Sequence, residues 1–550
     1  MPSGPHEKPP PPAPRHLTLA PVALGVLLGG CLSVLNVILA FKAGTGSGGA
    51  IITVLLGGAA LRLLRKLNWR TLFVTYATAS GGTLAVSAID TSIGAALLGG
   101  AAMPAWIALV GLALLANLLG LALGVVLAPT IIGDQSLKYP ALWPVIDLMH
   151  ALTGSGDRDA GAGRQRLIVV SAVAAAVLSF AAALAGRDSL PPAPGLPPYL
   201  VLSLSPMLFG LGLRLPGAAT VWIGLGAAYS LVVWYATALR AAPRPAPAYA
   251  EHLGSPWILA VGVGLLLGYA CGFGARMADG PRRAVAGAIR GRGGHRRLAA
   301  AGVTAVTAAA VVALPPPYLT IAVALVVLAP LFAVILNRVN AATGMAPTGV
   351  LQFLALVVLA LAHVPQGAAY LLVGLICGSA LASAYFIEAA KVAATAPARD
   401  APRTRQLLAC QAIGSVAGVS TGITLLFLIA ELGGVGTAAL PAPTSSALEF
   451  LNGLLRGSPE YARSALLFLV PAGLAGLALA WTPALPTLLG LGVLLPAATS
   501  AAILLGGVAK LVSQRRRGDE GAFAATVGSG LILGGGLANA VLLPIQLLTS

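Results

Sequence analysis

Three carboxylates lie inside long apolar stretches of the sequence, and none has an obvious sequence-local partner. They are Asp90 in SAIDTS, Asp147 in WPVIDLMHAL and Glu449 in SSALEFLNGL. A lone charge in hydrocarbon costs at least about 2.5 kcal/mol, so ionisable residues in apolar segments usually serve proton relays or substrate pathways. A neutral carboxyl enters a low-dielectric environment far more readily than a carboxylate. We therefore predict Asp90, Asp147 and Glu449 as proton-coupling candidates.

Glu388 is a fourth proton-coupling candidate, with a competing interpretation. It lies three residues before Lys391, just as Asp134 lies four residues before Lys138. Residues three or four apart are neighbours on a helix, so each pair could neutralise itself at a helix end. The spacing leaves both interpretations open.

Two breaks rich in small residues interrupt the apolar stretches. The first, GTGSGG at 44–49, formally matches G-x-G-x-x-G, but a dinucleotide site needs that motif between a strand and a helix, and both neighbours here are apolar spans. Glycine instead lets the backbone unwind, which frees carbonyl groups and a helix N-terminus to contact a substrate. The residues concerned are Gly44 and Gly46 in the first break and Thr343, Gly344 and Pro347 in the second. A tight turn outside the membrane is the alternative.

Motifs for catalysis are absent from the sequence. It contains no G-x-x-x-x-G-K-[ST], no H-E-x-x-H and no G-x-S-x-G. The four cysteines lie in apolar runs without a C-x-x-C or a nearby histidine, which predicts packing residues rather than a metal site. We expect no catalytic residues, no cofactor and no metal. Energy for uphill transport would come from an ion gradient or from a partner protein.

Composition defines the environment in which these residues must work. Of the 550 residues only 9% are charged and 58% are hydrophobic, whereas a soluble domain is about one quarter charged. Mean hydropathy is +0.91. The sequence therefore excludes a soluble enzyme. The net charge of +17 is concentrated in short arginine-rich connections, which indicates cytoplasmic loops and weak contacts with anionic lipids rather than nucleic acid.

The apolar segments have the length of membrane-spanning helices, because about 20 helical residues cross a 30 Å hydrocarbon core. We predict spans at 17–41, 46–64, 74–99, 104–131, 166–186, 198–213, 217–237, 256–276, 298–314, 317–336, 348–364, 368–390, 407–430, 464–481, 485–509 and 523–546. Two shorter segments, 138–152 and 440–456, begin with prolines and indicate half-spanning or re-entrant pieces. The predicted fold is an all-α polytopic membrane protein of about sixteen transmembrane helices.

The two halves of the chain resemble each other at an offset of about 301 residues. Asn36 falls opposite Asn337, and Asp147 lies near the position opposite Glu449. Both matches fall on interrupted segments, where repeat-built transporters place their substrate sites. We predict a disordered cytoplasmic tail at 1–16, an N-terminal repeat at 17–276, a basic cytoplasmic loop at 277–297 and an inverted C-terminal repeat at 298–550. The orientation of the last third stays open, because Arg515 to Arg517 fall outside in this assignment.

Four stretches resemble the oligopeptide transporter superfamily, which includes the yellow-stripe-like metal-chelate carriers and many bacterial proteins. Asn36 to Lys42 with the following glycine is similar to its N-x-x-x-x-x-K-x-G segment, and PTIIGDQSLKYPALWPVIDLMHAL to a stretch in which Tyr-Pro follows the fourth span. NRVNAATGMAPTGVLQF resembles a T-G-x-x-P-x-G segment. LGLGVLLPAATSAAILLGGVAKLVSQRRR resembles a signature that ends in R-R-R.

The resemblance implies a proton-coupled symporter of small peptides or peptide-like metal chelates, in the inner membrane of the cell. Its motifs add Asn36, Lys42, Tyr139 and Gln352 to the substrate-binding candidates. The chain departs from the family by lacking large hydrophilic loops and by having Met-Ala-Pro before Thr348. A membrane-embedded enzyme and a non-transporting scaffold subunit are the rival functions. The residues do not define the oligomeric state, and a homo-oligomer is compatible with them.

Overall fold

The computed structural model describes residues 19–46, 49–135, 137, 139, 141–153, 158–185, 189–190, 202–215, 217–240, 253, 255–276, 319–344, 346–397, 400–437, 440–457, 459–482, 485–517 and 522–549. The predicted tail at 1–16, the basic loop at 277–297 and the span at 298–314 lie outside these residues, as does Lys138.

The described chain is almost entirely helical. Its helices are α1 (Leu19–Ala43), α2 (Ala50–Leu63), α3 (Trp69–Thr83), α4 (Ser87–Leu98), α5 (Trp106–Ile132), α6 (Trp143–Thr153), α7 (Arg158–Leu184), α8 (Pro206–Arg214), α9 (Gly217–Arg240), α10 (Pro256–Arg276), α11 (Leu319–Thr343), α12 (Thr348–Leu361), α13 (Gln366–Ala394), α14 (Thr404–Glu431), α15 (Pro443–Arg456), α16 (Pro459–Leu479), α17 (Pro486–Leu494), α18 (Ala497–Arg517) and α19 (Ala522–Thr549). A two-residue antiparallel ladder joins β1 (Ser189–Leu190) to β2 (Leu202–Ser203).

Nine segments of the described chain are long and apolar enough to cross a membrane, and α3 with α4 counts as one of them. Two predicted spans are shorter than expected. Helices α2 and α12 have 14 residues each, about 21 Å at 1.5 Å per residue, which is less than a 30 Å hydrocarbon core. Each helix is followed, two residues after its last helical residue, by a residue of positive φ: Arg65 after α2 and His363 after α12. A left-handed residue at this position is a common way for a helix to end.

Proline divides another predicted span. The segment 485–509 forms two helices, α17 and α18, which are separated at Leu495 and Pro496. Leu495 is extended, with ψ of 143°, because the proline ring disfavours helical backbone in the residue before it. Leu215 before Pro216 is extended in the same way, with ψ of 147°, between α8 and α9. The predicted span at 198–213 contains β2 and most of the nine-residue helix α8.

Corresponding helices of the two halves make reciprocal contacts. Helices α5 and α14 are counterparts, as are α3 and α13, and α5 packs against α13 while α14 packs against α3. In the same way α7 and α16 are counterparts, as are α10 and α19, and α7 packs against α19 while α16 packs against α10. Where α5 and α14 meet, Ser415 Oγ lies 3.4 Å from Asn117 Oδ1, and these two residues occupy corresponding positions. Reciprocal pairs with a self-matching contact define a pseudo-two-fold relation between the halves.

Corresponding helices run antiparallel. Gly414 and Gly418 of α14 face Thr78 and Gly82 of α3 in the same order, so these two helices are parallel. Gly374 of α13 instead faces Ile89 and Ser92 of α4, and Gly378 faces Ala88. Helix α13 therefore runs opposite to the α3–α4 span, which is its own counterpart in the first half.

Glycine brings the central helices into backbone contact. A β-carbon on Gly414 would overlap the carbonyl oxygen of Thr78, and one on Gly418 would overlap that of Gly82. Small residues spaced four apart let helix backbones approach this closely inside a membrane. The contact fixes α14 on α3, and α3 leads into α4, which holds Asp90.

Candidate functional site

The first break folds back along α1. Gly44 and Gly49 have φ of +63° and +59°, a left-handed conformation that glycine adopts without steric cost. Gly49 packs on Leu32, in the middle of α1, and Gly46 lies against Asn36 and Leu84. The break therefore lies beside the interruption between α3 and α4 and inside the helix bundle, which favours an unwound segment over an external turn.

The segment before each short helix docks on the first helix of the other half. The amide of Ala442, just before α15, donates a hydrogen bond to the carbonyl of Phe41 in α1 at 2.8 Å. The amide of Tyr139, before α6, donates to the carbonyl of Ala341 in α11 at 2.7 Å. Ala442 and Tyr139 both have positive φ, at 47° and 49°. Each broken helix end is thus bound to the segment that precedes the short helix of the opposite half.

Thr444 lies where the two breaks approach each other. Its hydroxyl donates to the carbonyl of Gly44 at 3.2 Å. A β-carbon on Gly349, in the first turn of α12, would lie 3.6 Å from the Thr444 methyl group. The entrance of α15 therefore contacts the first break and the start of the helix that follows the second. Sequence inspection missed Thr444.

Asp90 is fully buried, with 0% of its surface exposed. Its Oδ1 accepts hydrogen bonds from the Thr91 amide at 2.6 Å and the Thr91 hydroxyl at 3.1 Å. Its Oδ2 has no hydrogen-bond partner among the described residues. The hydroxyl of Ser445 in α15 donates to the carbonyl of Thr91, the residue after Asp90, at 2.9 Å. Burial without a countercharge from the part of the chain that the structure describes favours the neutral carboxyl.

Asn36 and Gln352 connect helices rather than line an open space. The Asn36 amide group donates to the carbonyls of Leu32 and Thr83, at 2.8 and 2.9 Å. The Gln352 amide group donates to the Ala88 carbonyl of α4 at 2.7 Å. Both side chains are buried. Gln352 therefore bonds the turn of α4 that holds Asp90.

Asn337 repeats the bonding of Asn36 in the second half. Its amide group donates to the Ala333 carbonyl and to the Ser383 hydroxyl, each at 2.7 Å. Asn36 likewise bonds the carbonyl four residues before it and reaches residue 83, which lies 300 before Ser383. The repeated pattern indicates that both asparagines hold the first helix of a half to its third.

Polar residues gather at the end of α11. The Asn340 side-chain amide donates to Glu388 Oε1 at 2.6 Å. Lys391 Nζ lies 5.2 Å from the centre of the Tyr139 ring, within cation–π range. Glu388 and Lys391 therefore have different neighbours, although their spacing allowed them to pair with each other. Sequence inspection missed Asn340, because only the fold places it against α13.

Asp134 pairs with a distant residue of the second half. Its Oδ2 lies 2.9 Å from the Arg338 guanidinium in α11, across 204 positions of sequence. The sequence offered Lys138 as its partner, but Lys138 lies outside the described residues. The ion pair joins the end of α5 to α11, next to Asn340.

Asp147 and Glu449 lie on corresponding short helices but in different surroundings. Asp147 is exposed on α6, and the buried residues of this helix are all apolar. Glu449 on α15 is half-buried. In the second break, Gly344 has φ of +74° and Pro347 is the N-cap residue of α12. Thr343 ends α11, and its side chain is not among those that the structure describes.

Lys42, the last cation of α1, lies at a cavity of about 120 Å³. Its ammonium group donates to Asn539 Oδ1 of α19 at 3.1 Å. Four hydroxyl residues share the lining: Ser179, Ser203, Ser205 and Thr499. Pro441, just before α15, also lines the cavity. Neither Asp90 nor Glu388 is among the described residues that line it.

Nine apolar helices long enough to cross a membrane in the described chain, together with half-length and proline-broken helices that bring buried polar groups together, indicate a multi-pass membrane transporter. The family model for OPT oligopeptide transporter protein matches residues 16–270 and 297–544. The chain therefore belongs to the oligopeptide transporter family, whose members are transporters and not enzymes. No curated protein matches the chain at a significant level.

Proposed function

We propose that this chain is a proton-coupled carrier of small peptides in the inner membrane, with Asp90 as the coupling carboxyl. Membership of the oligopeptide transporter family supports a peptide cargo. The absence of a nucleotide-binding motif from the sequence leaves an ion gradient as the simplest energy source. The antiparallel halves support alternating access, in which one set of helices rocks against the other.

The burial of Asp90 carries the proposal. Among the described residues no donor forms a hydrogen bond with its Oδ2, and the residue has no exposed surface. A charged carboxylate in this position would lack both water and a cation, so the state described here holds a proton. Release of that proton requires a second state in which water reaches Oδ2. Asp90 can therefore bind a proton in one state and release it in another.

The hydrogen bond from Ser445 connects the protonation of Asp90 to the substrate path. Thr444 and Ser445 are consecutive in α15. The Ser445 hydroxyl donates to the carbonyl of Thr91, next to Asp90, and the Thr444 hydroxyl donates to the Gly44 carbonyl in the first break. A displacement of α15 would therefore disturb the surroundings of Asp90 and the broken end of α1 together. This is the physical route by which cargo binding at the break would control access of water to Asp90.

Uptake into proteoliposomes tests the coupling. With a gradient of one pH unit and no membrane potential, one proton per molecule drives about a tenfold accumulation, because each unit supplies 1.36 kcal/mol. We expect wild-type protein to accumulate a tripeptide to that extent. Asp90→Asn keeps the oxygen that accepts from Thr91, so it should still exchange peptide across the membrane but accumulate none.

Three parallel variants make the test specific: Asp147→Asn, Glu449→Gln and Glu388→Gln. We expect each of them to retain accumulation. Undiminished accumulation by Asp90→Asn would exclude Asp90, and loss in one of the other variants alone would transfer the coupling role to that residue. Peptide-like metal chelates, the other cargo that the resemblance implied, are tested in the same vesicles, and uptake of chelates without peptides would overturn the peptide assignment.

A further inference from the structure

The cavity beside Lys42 is lined by hydrogen-bond donors. It combines the Lys42 ammonium group with the hydroxyls of Ser179, Ser203, Ser205 and Thr499. The described lining residues include no carboxylate. The Lys42 ammonium group donates a hydrogen bond to the neutral side-chain oxygen of Asn539. This chemistry suits an anion.

Two of the hydroxyls have no partner although they are buried. Ser179 is 9% exposed, and neither its Oγ nor that of Ser205 makes a hydrogen bond within the described structure. Buried hydroxyls normally find a partner, so a pair of unsatisfied ones on the same cavity marks a place where a ligand completes the bonding. Each can donate one hydrogen bond to an oxygen atom.

Two helix N-termini add to the positive potential. Helix α8 begins at Pro206, directly after Ser205, and the Ser205 side chain does not cap it. Thr499 lies in the first turn of α18. The N-terminus of a helix carries a partial positive charge and attracts anions. The proline breaks that divide α17 from α18 therefore place a helix start beside the Lys42 side chain.

We propose that this cavity binds a carboxylate group of the transported molecule, an assignment that rests on the proposed peptide carrier. Its volume of about 120 Å³ accommodates a carboxylate and the atoms next to it. Pockets that enclose a whole small-molecule ligand measure about 300–1,000 Å³, so the cavity is a subsite for one end of the cargo. Pro441 in its lining places that end beside the segment that docks on α1.

Matched peptides test the subsite in proteoliposomes with a fixed pH gradient. Trialanine with a free terminal carboxylate is compared with its C-terminal amide. Hydrogen bonds to charged groups are strong enough that we expect the wild-type KM to be about 10- to 100-fold lower for the acid. Lys42→Met should raise the KM for the acid by a similar factor and change that for the amide by less than twofold.

Further variants separate loss of the charge from loss of the fold. Lys42→Arg should preserve the preference for the acid, Ser205→Ala should weaken it several-fold, and the exposed control Lys66→Met should not change it. If Lys42→Met does not fold, Ser205→Ala carries the test. A C-terminally amidated peptide whose last residue is aspartate tests whether a side-chain carboxylate can also occupy the subsite. A low KM for this peptide means that it can, and a high KM means that the terminal carboxylate is required.

The outcomes separate the subsite from the function. Equal KM values for acid and amide in the wild-type protein would overturn the subsite while peptide transport stands. An acid preference that survives both Lys42→Met and Ser205→Ala would also overturn it. If wild-type protein carries neither peptide, the peptide carrier fails and the subsite with it.

Discussion

Alanine substitutions at two glycines should have opposite effects on stability. Gly414 lies in the interior of α14, where a β-carbon would overlap the Thr78 carbonyl of α3. Gly111 lies in the interior of α5, where a β-carbon would meet no atom within 4 Å. The two positions share residue type and helical conformation and differ in what surrounds them. The pair therefore isolates the contribution of backbone contact between helices.

The magnitudes follow from packing and helix propensity. Alanine in a helix interior is more favourable than glycine by roughly 0.5–1 kcal/mol, which Gly111→Ala should gain in full. At Gly414 the same gain is opposed by overpacking, which costs about 1–3 kcal/mol and more where the neighbour is backbone that cannot rotate away. We expect Gly414→Ala to be less stable than Gly111→Ala by about 2 kcal/mol.

Thermal unfolding in lipid nanodiscs, followed by tryptophan fluorescence at one scan rate, measures the difference. A chain of this length changes its Tm by about 1 °C per kcal/mol if it unfolds as a unit, so the two alanine variants should differ by about 2 °C. Leucine at the same positions enlarges the contrast, because it separates α3 from α14 only at Gly414. Equal Tm shifts at the two sites would refute the backbone contact and the helix register drawn from it.

Two further predictions concern the breaks. Ala442→Gly should raise the Tm, because glycine removes the strain of a left-handed residue, about 1 kcal/mol, and keeps the amide that donates to Phe41. Ala442→Pro lacks that amide and should lower the Tm. The opposite order of Tm values would contradict the docking of this segment on α1. Asn340→Leu should lower the free energy of unfolding by about 1–3 kcal/mol, because it leaves Glu388 without its hydrogen-bond donor. Adding Glu388→Leu should recover part of this loss, so single and double variants whose losses in Tm add up would exclude the pairing.

Hydropathy predicted the positions of the long helices well, but it did not predict which helices are too short to cross the membrane. The predicted spans at 17–41 and 104–131 match α1 and α5 to within a few residues. Hydropathy cannot distinguish a full span from a helix that starts in the middle of the bundle, so α2 and α12 were expected to be longer. The division at Pro496 had a detectable signal, because LRLPGAAT and VLLPAATS repeat at an offset of 280. A search at one fixed offset misses it.

The candidate site could be predicted in its residue types and not in its pairings. Buried acids and the glycine breaks were visible in the sequence. The partners were not, because Asn340 with Glu388 and Arg338 with Asp134 are brought together by helix packing across 48 and 204 positions. Local spacing instead suggested partners three or four residues away. Neither Thr444 nor Ser445 carried a charge or lay in a recognisable motif.

Comparing the halves separates structural polar residues from those that can carry transport. Asn36 has a counterpart in Asn337 with matching hydrogen bonds, as expected for a residue that builds the scaffold of each repeat. At the same offset of 301 residues the other polar candidates face residues of a different type. Lys42 falls opposite Thr343, Asp90 opposite Lys391 and Glu388 opposite Ser87, while Asp147 lies near the position opposite Glu449.

This loss of symmetry has a mechanical consequence. Two halves with similar helices can exchange conformations by rocking, since each first helix is bound through Ala442 or Tyr139 to the segment before the other half's short helix. The ion gradient sets the direction of net movement, because a carrier cannot change an equilibrium by itself. In the described chain the difference between the halves instead leaves one buried carboxyl at this position, since α4 carries Asp90 where the corresponding position of α13 carries Lys391. In the proposed mechanism, rocking exposes this one carboxyl to the two sides of the membrane in turn.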